Sequence, residues 1–474
     1  MRKSWIEERV KYVLEHGNWI IRADRNGVSY GGFKWKPVGV WTEAPDWNPK
    51  KYIGDGLHGQ DKDHGGSING IRLLFCETDG EHIDLDCLVK VKRARILLIN
   101  KLPEGLVING NLCLSYTNIK SLPNNMKING DLKLNNTRIK SISSGIEVGG
   151  NLNLVNSNIK SLPDNIKVGG SINLYNSKIE SLPSDLKVNG NLNLGRTNIE
   201  SLPKGVKVYG NLELYDSNIK TIPSGLKVGG SLNLVSANIK SLPKDLRVKG
   251  DLNLYDTKIK SLPDNLKVGR DLILSYALLE TLPADLTIGR NLDLRYSKIK
   301  SLPDDIKIGG DLFISDSNIK LLPKGLEIGR NLSIYESDLI ISKGLKVGGY
   351  LELKYYKHET LPSDLEVAGC LDLSFSNIRT IPKDLKVRGS LYLYQSAIES
   401  LPINLKIGKN LDLRFTKIKS LPKGLEVGED LDLRYTKLKK LPKGLKIGWS
   451  LDIRHSKIKS IPKDAIIKRG ICSD

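Results

Sequence analysis

Two histidines and three aspartates fall within ten residues in Asp55-Gly56-Leu57-His58-Gly59-Gln60-Asp61-Lys62-Asp63-His64. Side chains of these types could ligate a divalent metal. They could also supply acid and base groups to a phosphate-containing or nucleotide substrate, with His58, Asp61 and His64 as the candidate catalytic residues. His58 and His64 stand six apart without a repeated ligand spacing, so a polar, Gly-rich loop is the competing reading and no metal or cofactor is expected. The sequence holds no Walker loop, no G-x-S-x-G, no H-E-x-x-H and no C-x-x-C. Its five Cys (Cys76, Cys87, Cys113, Cys370, Cys472) are scattered, in neither a disulfide framework nor a zinc pattern. A reducing, cytoplasmic compartment is the expectation.

The elements that must position this loop lie in residues 1–101, expected to form a small α+β domain. Apolar residues at helical spacing (Trp5-Ile6, Val10, Val13-Leu14) predict an amphipathic helix over 3–16, ended by Gly17. Trp19 to Arg22 reads as a strand, Asn26-Gly27 as a turn and Val28-Ser29-Tyr30 as the return. Further strands are expected at 71–76, 83–91 and 93–99. Five of the six Trp fall here and are expected to build the core. The N-terminus carries charge where a signal peptide needs an apolar stretch, and no apolar run approaches the roughly 20 residues of a membrane span. No membrane partner is expected.

From residue 102 the chain repeats. Leu102-Pro103, Leu122-Pro123, Leu162-Pro163 and Leu182-Pro183 set a period of 20, which shortens by one residue near Ile340-Ile341 and resumes at Leu361-Pro362. Eighteen units fill residues 102–460, and residues 461–474 are expected to be a partial unit and cap. One unit reads L-P-x-x-L-x-V-x-G-x-L-x-L-x-x-[ST]-x-I-x-x. Leu at positions eleven and thirteen is period two, a short strand with one buried face. Pro at position two forbids a continuing helix. Gly at position nine, present in twelve units, suits a tight turn or a close backbone approach. A second short strand is expected at the V-x-G segment. Some six aliphatics per unit cannot offset the ordering of the backbone alone, so units must stack and share their buried faces. The expected fold is mainly β, a solenoid preceded by the α+β domain.

The recurring stretch L-x-L-x-x-[ST]-x-I-x-x-L-P-x-x-L resembles the leucine-rich repeat family, whose pattern is L-x-L-x-x-N-x-L-x-x-L-P-x-x-L. The resemblance covers residues 102–463, and the unit length is similar to the short bacterial class. It implies a leucine-rich-repeat-like β-solenoid that binds a protein through its concave strand face. Ser or Thr replaces the family's Asn in fifteen of eighteen units. Gly32-Phe33-Lys34-Trp35, Gly56-Leu57-His58 and the strand from Lys90 to Ile99 resemble a small domain that precedes repeats in phage and bacterial proteins. That resemblance implies a phage or bacterial factor acting on a host system. Bacterial ligases of the short class place a catalytic Cys domain after the array, and only fourteen residues follow Ser460, so that activity is not expected.

The outward positions ten, twelve and fourteen carry the binding argument. Early units offer Tyr175, Tyr215 and Tyr255, whereas late ones offer Asp412 and Arg414, Asp432 and Arg434, Asp452 and Arg454, with Phe415 and Tyr435 adjacent. Tyr and Arg on a rigid face suit a binding hot spot. Diagonal Asp–Arg pairs that neutralise one another are the competing account. Net charge is +20: residues 1–101 hold 17 basic and 14 acidic residues, and the remainder holds 56 and 39. Lys and Arg at positions six and nineteen form columns that could follow a phosphate backbone, although Glu147, Glu180, Glu200 and Glu280 interrupt them. Three functions therefore stand open: a non-enzymatic module binding a partner protein, an enzyme using the His/Asp loop, and a basic nucleic-acid-binding scaffold. The first is favoured.

Overall fold

The computed structural model describes residues 3–29, 34–52, 56–68, 70–79, 82–336 and 338–474. Tyr30, Gly32, Phe33, Asp55 and Ser337, all drawn on above, lie outside the described residues. The contacts divide the chain into two units, Met1–Ile239 and Lys240–Asp474.

The first unit opens with helix α1 (Lys3–His16), ended where the Gly17 amide donates to the Val13 carbonyl and the backbone turns left-handed. Seven strands follow: β1 (Trp19–Asp24), β2 (Trp41–Glu43), β3 (Leu57–Gly59), β4 (Arg72–Asp79), β5 (Ile83–Asp84), β6 (Val89–Val91) and β7 (Arg93–Ile99). They make two antiparallel sheets, ordered β1-β4-β7-β2 and β3-β6-β5. The expected return strand after Asn26-Gly27 is reduced to isolated bridges from Val28 to Arg25 and Lys34. The single strand expected at 83–91 is two short ones.

The core between the sheets is mostly aliphatic: Ile20, Leu57, Leu74, Val91 and Ile96 surround Trp35 and Cys76. Trp19 is also buried, but Trp5, Trp41 and Trp47 stay at the rim, half-buried. Cations hold their rings there: Arg95 lies 4.9 Å from the Trp5 ring and 4.6 Å from that of Trp41, and Lys90 lies 6.0 Å from that of Trp47. A ring that meets a cation on one face gains from staying at the boundary.

From residue 102 each repeat is one rung with two strands of two residues, at positions six and seven and at eleven and twelve (Val107–Ile108 and Leu112–Cys113 in the first). The V-x-G segment thus does form a strand. Like strands pair in parallel and in register, Leu112 beside Leu132 beside Leu152. These three leucines are fully buried. Positions one, five, seven, eleven, thirteen and eighteen point inward, as Leu192, Leu194 and Ile199 illustrate. Of the two units without Pro at position two, the first uses Ser143, whose hydroxyl donates to the Leu122 carbonyl of the rung before, at 2.6 Å.

The second unit continues the pattern from Arg247–Val248 and Leu252–Asn253 to Ile466–Ile467 and Gly470–Cys472. The one-residue contraction near Ile340-Ile341 falls in a connection. Leu332 still pairs with Leu351, so the strands keep register. The other unit lacking Pro uses Ser342, whose hydroxyl bonds the Leu322 carbonyl. The architecture is a mainly β, leucine-rich-repeat-like solenoid after a small α+β region. Among the described residues no helix is long and apolar enough to cross a membrane.

Candidate functional site

The His/Asp loop folds inward. Asp61, at the end of the segment that leaves β3, accepts hydrogen bonds from the Asp63 and His64 amides, both at 2.9 Å, and from His64 Nδ1 at 2.7 Å. His82 Nδ1 approaches its other oxygen at 3.5 Å. Burial alone raises the Asp61 pKa. The bonds from His82, from the two amides and from the His64 ring outweigh it and hold the carboxyl well below the usual carboxylate range. Burial lowers His64, but its contact with Asp61 prevails and raises it above its ordinary 6.5. His64 Nε2 also meets Asp84 at 3.2 Å. His58 lies on β3 opposite Lys90.

Thr78 Oγ1 lies 2.7 Å from His82 Nε2, so Thr78, His82 and Asp61 stand in the order of nucleophile, base and acid. Thr78 is only 3% exposed, and both histidines converge on one carboxylate. The order therefore reads as a closed hydrogen-bond chain. Among the described residues no group of three or more His, Cys, Asp and Glu side chains is placed to hold a metal ion.

The same loop is bonded to the first rung. Gln60, fully buried, accepts from the Cys113 amide at 2.9 Å and donates to the Cys113 carbonyl at 2.6 Å. Its side-chain amide thus takes the place of a neighbouring strand on the edge formed by Leu112–Cys113. The Lys62 carbonyl accepts from the Asn109 and Gly110 amides, and Asp63 accepts from the Asn109 side chain at 2.7 Å. A Cβ on Gly65 would sit 1.9 Å from the Asn111 carbonyl oxygen, so only glycine admits this approach. His82 was not singled out by the sequence reading; it lies 18 residues beyond His64.

The outward strand positions divide by role. At position ten, the side chain of one rung accepts the backbone amide of the next: Asn111 from Asp131, Asp131 from Asn151, Asn151 from Ser171. The second unit repeats this from Asp271 to Asn291 to Asp311 to Asn331. This is a polar ladder, placed six positions before the hydroxyl column where the family resemblance suggested one. Several of the hydroxyls instead bond within their own rung, as Thr117 does to Leu114 and Thr416 to Leu413, whereas those of Ser157, Ser177, Ser297 and Ser396 are buried without a hydrogen-bond partner among the described residues. The readable signal was Asn, Asp or Ser at position ten in sixteen of eighteen units.

Position twelve caps its own turn. Asp412, Asp432 and Asp452 accept the amides of Arg414, Arg434 and Arg454 at 3.0, 3.1 and 3.2 Å, and each holds the guanidinium of that Arg at 2.6 Å. Arg414 and Arg434 also reach the carboxylate of the following rung, at 3.4 and 3.3 Å. These three pairs neutralise one another. Positions fourteen and fifteen remain as the outward face. In the first unit Tyr175 and Tyr215 touch across Gly195, with ring centroids 5.9 Å apart. In the second unit Tyr255 packs on Tyr276 at 5.2 Å, and Tyr276 on Tyr296 at 4.7 Å.

Position fifteen has a property that sequence reading missed. All eighteen residues there adopt a left-handed backbone, with φ between 52° and 65°. Asn and Asp tolerate that conformation, while other L-residues are strained by about 1–2 kcal/mol. The column does hold Asn136, Asn156, Asp216 and Asp256, yet Tyr276, Tyr296, Tyr355, Phe375, Phe415 and Tyr435 occupy it in the second unit. Where the column lapses to Glu336 or Gln395, Tyr335 or Tyr394 at position fourteen supplies the ring instead. The result is an unbroken run, Tyr335–Tyr355–Phe375–Tyr394–Phe415–Tyr435–His455, with successive centroids 4.3 to 5.6 Å apart.

Ten of the twenty-four basic residues at positions six and nineteen are paired with carboxylates along the stack. Lys160 meets Glu180 at 3.0 Å, Lys167 meets Glu147 at 2.6 Å, Lys220 meets Glu200 at 2.6 Å and Lys346 meets Glu327 at 2.7 Å. Glu426 bridges Lys406 and Lys446. A phosphate backbone would have to displace these carboxylates.

No protein-family profile matches the chain, and no curated protein sequence does. Among solved structures the chain is similar to YopM from Yersinia enterocolitica WA-314, with 19% identity over 80% of this chain and 90% of that one, at a TM-score of 0.38. It is similar to YopM of Yersinia pestis, a leucine-rich effector protein, with 16% identity over 79% and 86% and a TM-score of 0.27. A third similarity is to a chain of the Drosophila Toll–Spätzle complex, with 13% identity over 68% of this chain and 51% of that one, at a TM-score of 0.33.

Proposed function

We propose that the protein is a non-enzymatic interaction scaffold that binds a partner protein through the outward strand face of its repeats. The observation that carries this reading is the run of rings from Tyr335 to His455. A surface aromatic needs no explanation singly, but seven in succession over about 30 Å of stacked rungs form a continuous apolar strip. Strain adds to the argument. Several rings sit where Asn would cost less, and strain of this kind is kept where a side chain must be presented. Rigid Tyr and Phe bury large area at low entropic cost, as binding hot spots require. Within the second unit Tyr255, Arg414, Arg434 and Arg454 flank or extend such a surface, and Tyr175 with Tyr215 offers a separate aromatic pair in the first unit. The Asp–Arg pairs hold its edge neutral.

The His/Asp loop supports a structural role, because its polar atoms satisfy one another and the first rung. The nucleic-acid reading is weakened by the Lys–Glu pairs. It is weakened further where Tyr355 stacks on Phe375 and Phe415, Tyr435 and His455 stack on one another, because the faces turned to each other there are closed to bases.

The test is a ring-stripped chain carrying Tyr355→Asn, Phe375→Asn, Phe415→Asn and Tyr435→Asn. Asn suits the left-handed backbone, so the fold should persist, with circular dichroism and thermal unfolding unchanged. Proteins captured by the intact chain and identified by mass spectrometry should be absent from the stripped one. Equal capture by both would reject the reading.

A further inference from the structure

The last three full units depart from the rest of the array on the edge beside the rings. Elsewhere, several basic residues at position nineteen pair with carboxylates on neighbouring rungs, Lys160 with Glu180, Lys220 with Glu200, Lys300 with Glu280 and Arg379 with Glu359, while Lys120 and Lys140, and Lys240 and Lys260, follow one another on rungs that carry one or two Lys or Arg each in this stretch. Glu399, paired with Lys419, is the last acid in that column. Residues 416–420, 436–440 and 456–460 then hold seven Lys and no Asp or Glu. Among the described residues no carboxylate pairs with Lys417, Lys437, Lys439 or Lys440. All four are exposed. They line an open groove of about 710 Å³ together with Lys419 and Ile418.

Like charges on adjacent rungs, roughly 4.8 Å apart, repel and destabilise the stack. The same rungs carry a second cost, shared with Tyr276, Tyr296, Tyr355 and Phe375. Phe415, Tyr435 and His455 occupy the left-handed position fifteen and stack at 4.3 and 4.6 Å, immediately before the residues of the lysine edge. Two independent costs therefore coincide on three rungs. On the far side of the rings, Arg414, Arg434 and Arg454 are neutralised by their own aspartates, so the uncompensated positive charge lies on the lysine side alone.

We propose that this edge is a docking groove for an acidic peptide segment bearing aromatic or aliphatic side chains. Its carboxylates would lie among Lys417, Lys437, Lys439 and Lys440, and its apolar side chains against the edges of the Phe415, Tyr435 and His455 rings. The inference rests on the interaction-scaffold reading and specifies the chemistry of one partner segment. A peptide is favoured over nucleic acid because the stacked rings present edges, which suit side chains in T-shaped contact, and hide the faces that bases require.

The test uses the full chain and fluorescence anisotropy. The probes are a Glu/Asp-rich peptide of about a dozen residues containing two Phe, the same peptide with both Phe replaced by Ala, and an oligothymidylate of equal charge. The Phe-containing peptide should bind most tightly at physiological salt. The triple variant Lys417→Glu, Lys437→Glu, Lys439→Glu should weaken it by at least about tenfold while the circular dichroism spectrum stays unchanged. Absence of peptide binding, binding unaffected by the charge reversal, equal binding of the Ala peptide, or tighter binding of the oligothymidylate would each overturn the proposal. If the reversed chain still captures its partner protein and the peptide fails, the broader reading stands and only this groove is rejected. If the ring-stripped chain also captures normally, both fall.

Discussion

The loop around Asp61 and the ring column from Tyr335 to His455 hold the most conspicuous side chains of the molecule, and they are built on opposite principles. The loop gathers groups able to do acid–base chemistry and turns Asp61, Asp63 and His64 toward other protein atoms. Asp61 accepts two amides and two imidazoles, and Gln60 completes the edge of the first rung. The ring column gathers Tyr and Phe rings, with one imidazole at its end, and keeps them outward, five of the seven on a left-handed backbone that disfavours them. Reactive residue types that satisfy one another are architecture. Rings held out against a local cost are the better candidates for recognition.

Substitutions can break this contrast. The largest effect calibrates the scaffold that both regions share: Leu132→Ala leaves a cavity between rungs and should cost about 2–5 kcal/mol in denaturant unfolding of the first unit. Asp61→Ala should follow, at about 2–3 kcal/mol, because it strands buried donors. Its signature is faster hydrogen exchange at the Asn109 and Gly110 amides. Normal exchange there would mean that the loop does not secure the first rung. Phe375→Asn should do the reverse and leave stability unchanged or raise it by up to about 1 kcal/mol, since the left-handed strain is relieved. A loss of stability instead would mark the rings as structural packing, and the contrast would collapse.

The smallest effect is one of pH. Asp61 is depressed below 3.8, so its contribution is present above that value and is lost as pH falls through the folded one. His64 is raised above 6.5, so its contribution is complete below that value and is lost as pH rises through the folded one. Protection of the Asn109 amide, corrected for intrinsic exchange, should therefore be greatest between pH 3.8 and 6.5. A flat profile would show that the Asp61–His64 pair does not support the cap.

Legibility differed sharply between the two regions. Helix α1, the twenty-residue rung and its buried columns were readable because each rests on local periodicity repeated many times. The core of the α+β region was less so: five Trp suggested an aromatic centre, and cations keep three of them at the rim. His82 was unreadable as a partner of Asp61, 21 residues away, because the two are brought together by tertiary pairing, with β3 and β5 on either side of β6, and not by local spacing. Position ten, by contrast, showed its polar ladder in composition and was overlooked only because the family pattern pointed elsewhere.

Residue spacing by itself determined that this chain stacks. Leu, Pro and Ile recurring every twenty residues allow no other way to remove so many aliphatic side chains from water. Tertiary structure alone decided which outward side chains are already engaged. Whether an Asp, a Lys or a Tyr is bound or available depends on atoms twenty or more residues away along the chain, brought within hydrogen-bond or ring-contact range only when one rung lies on the next.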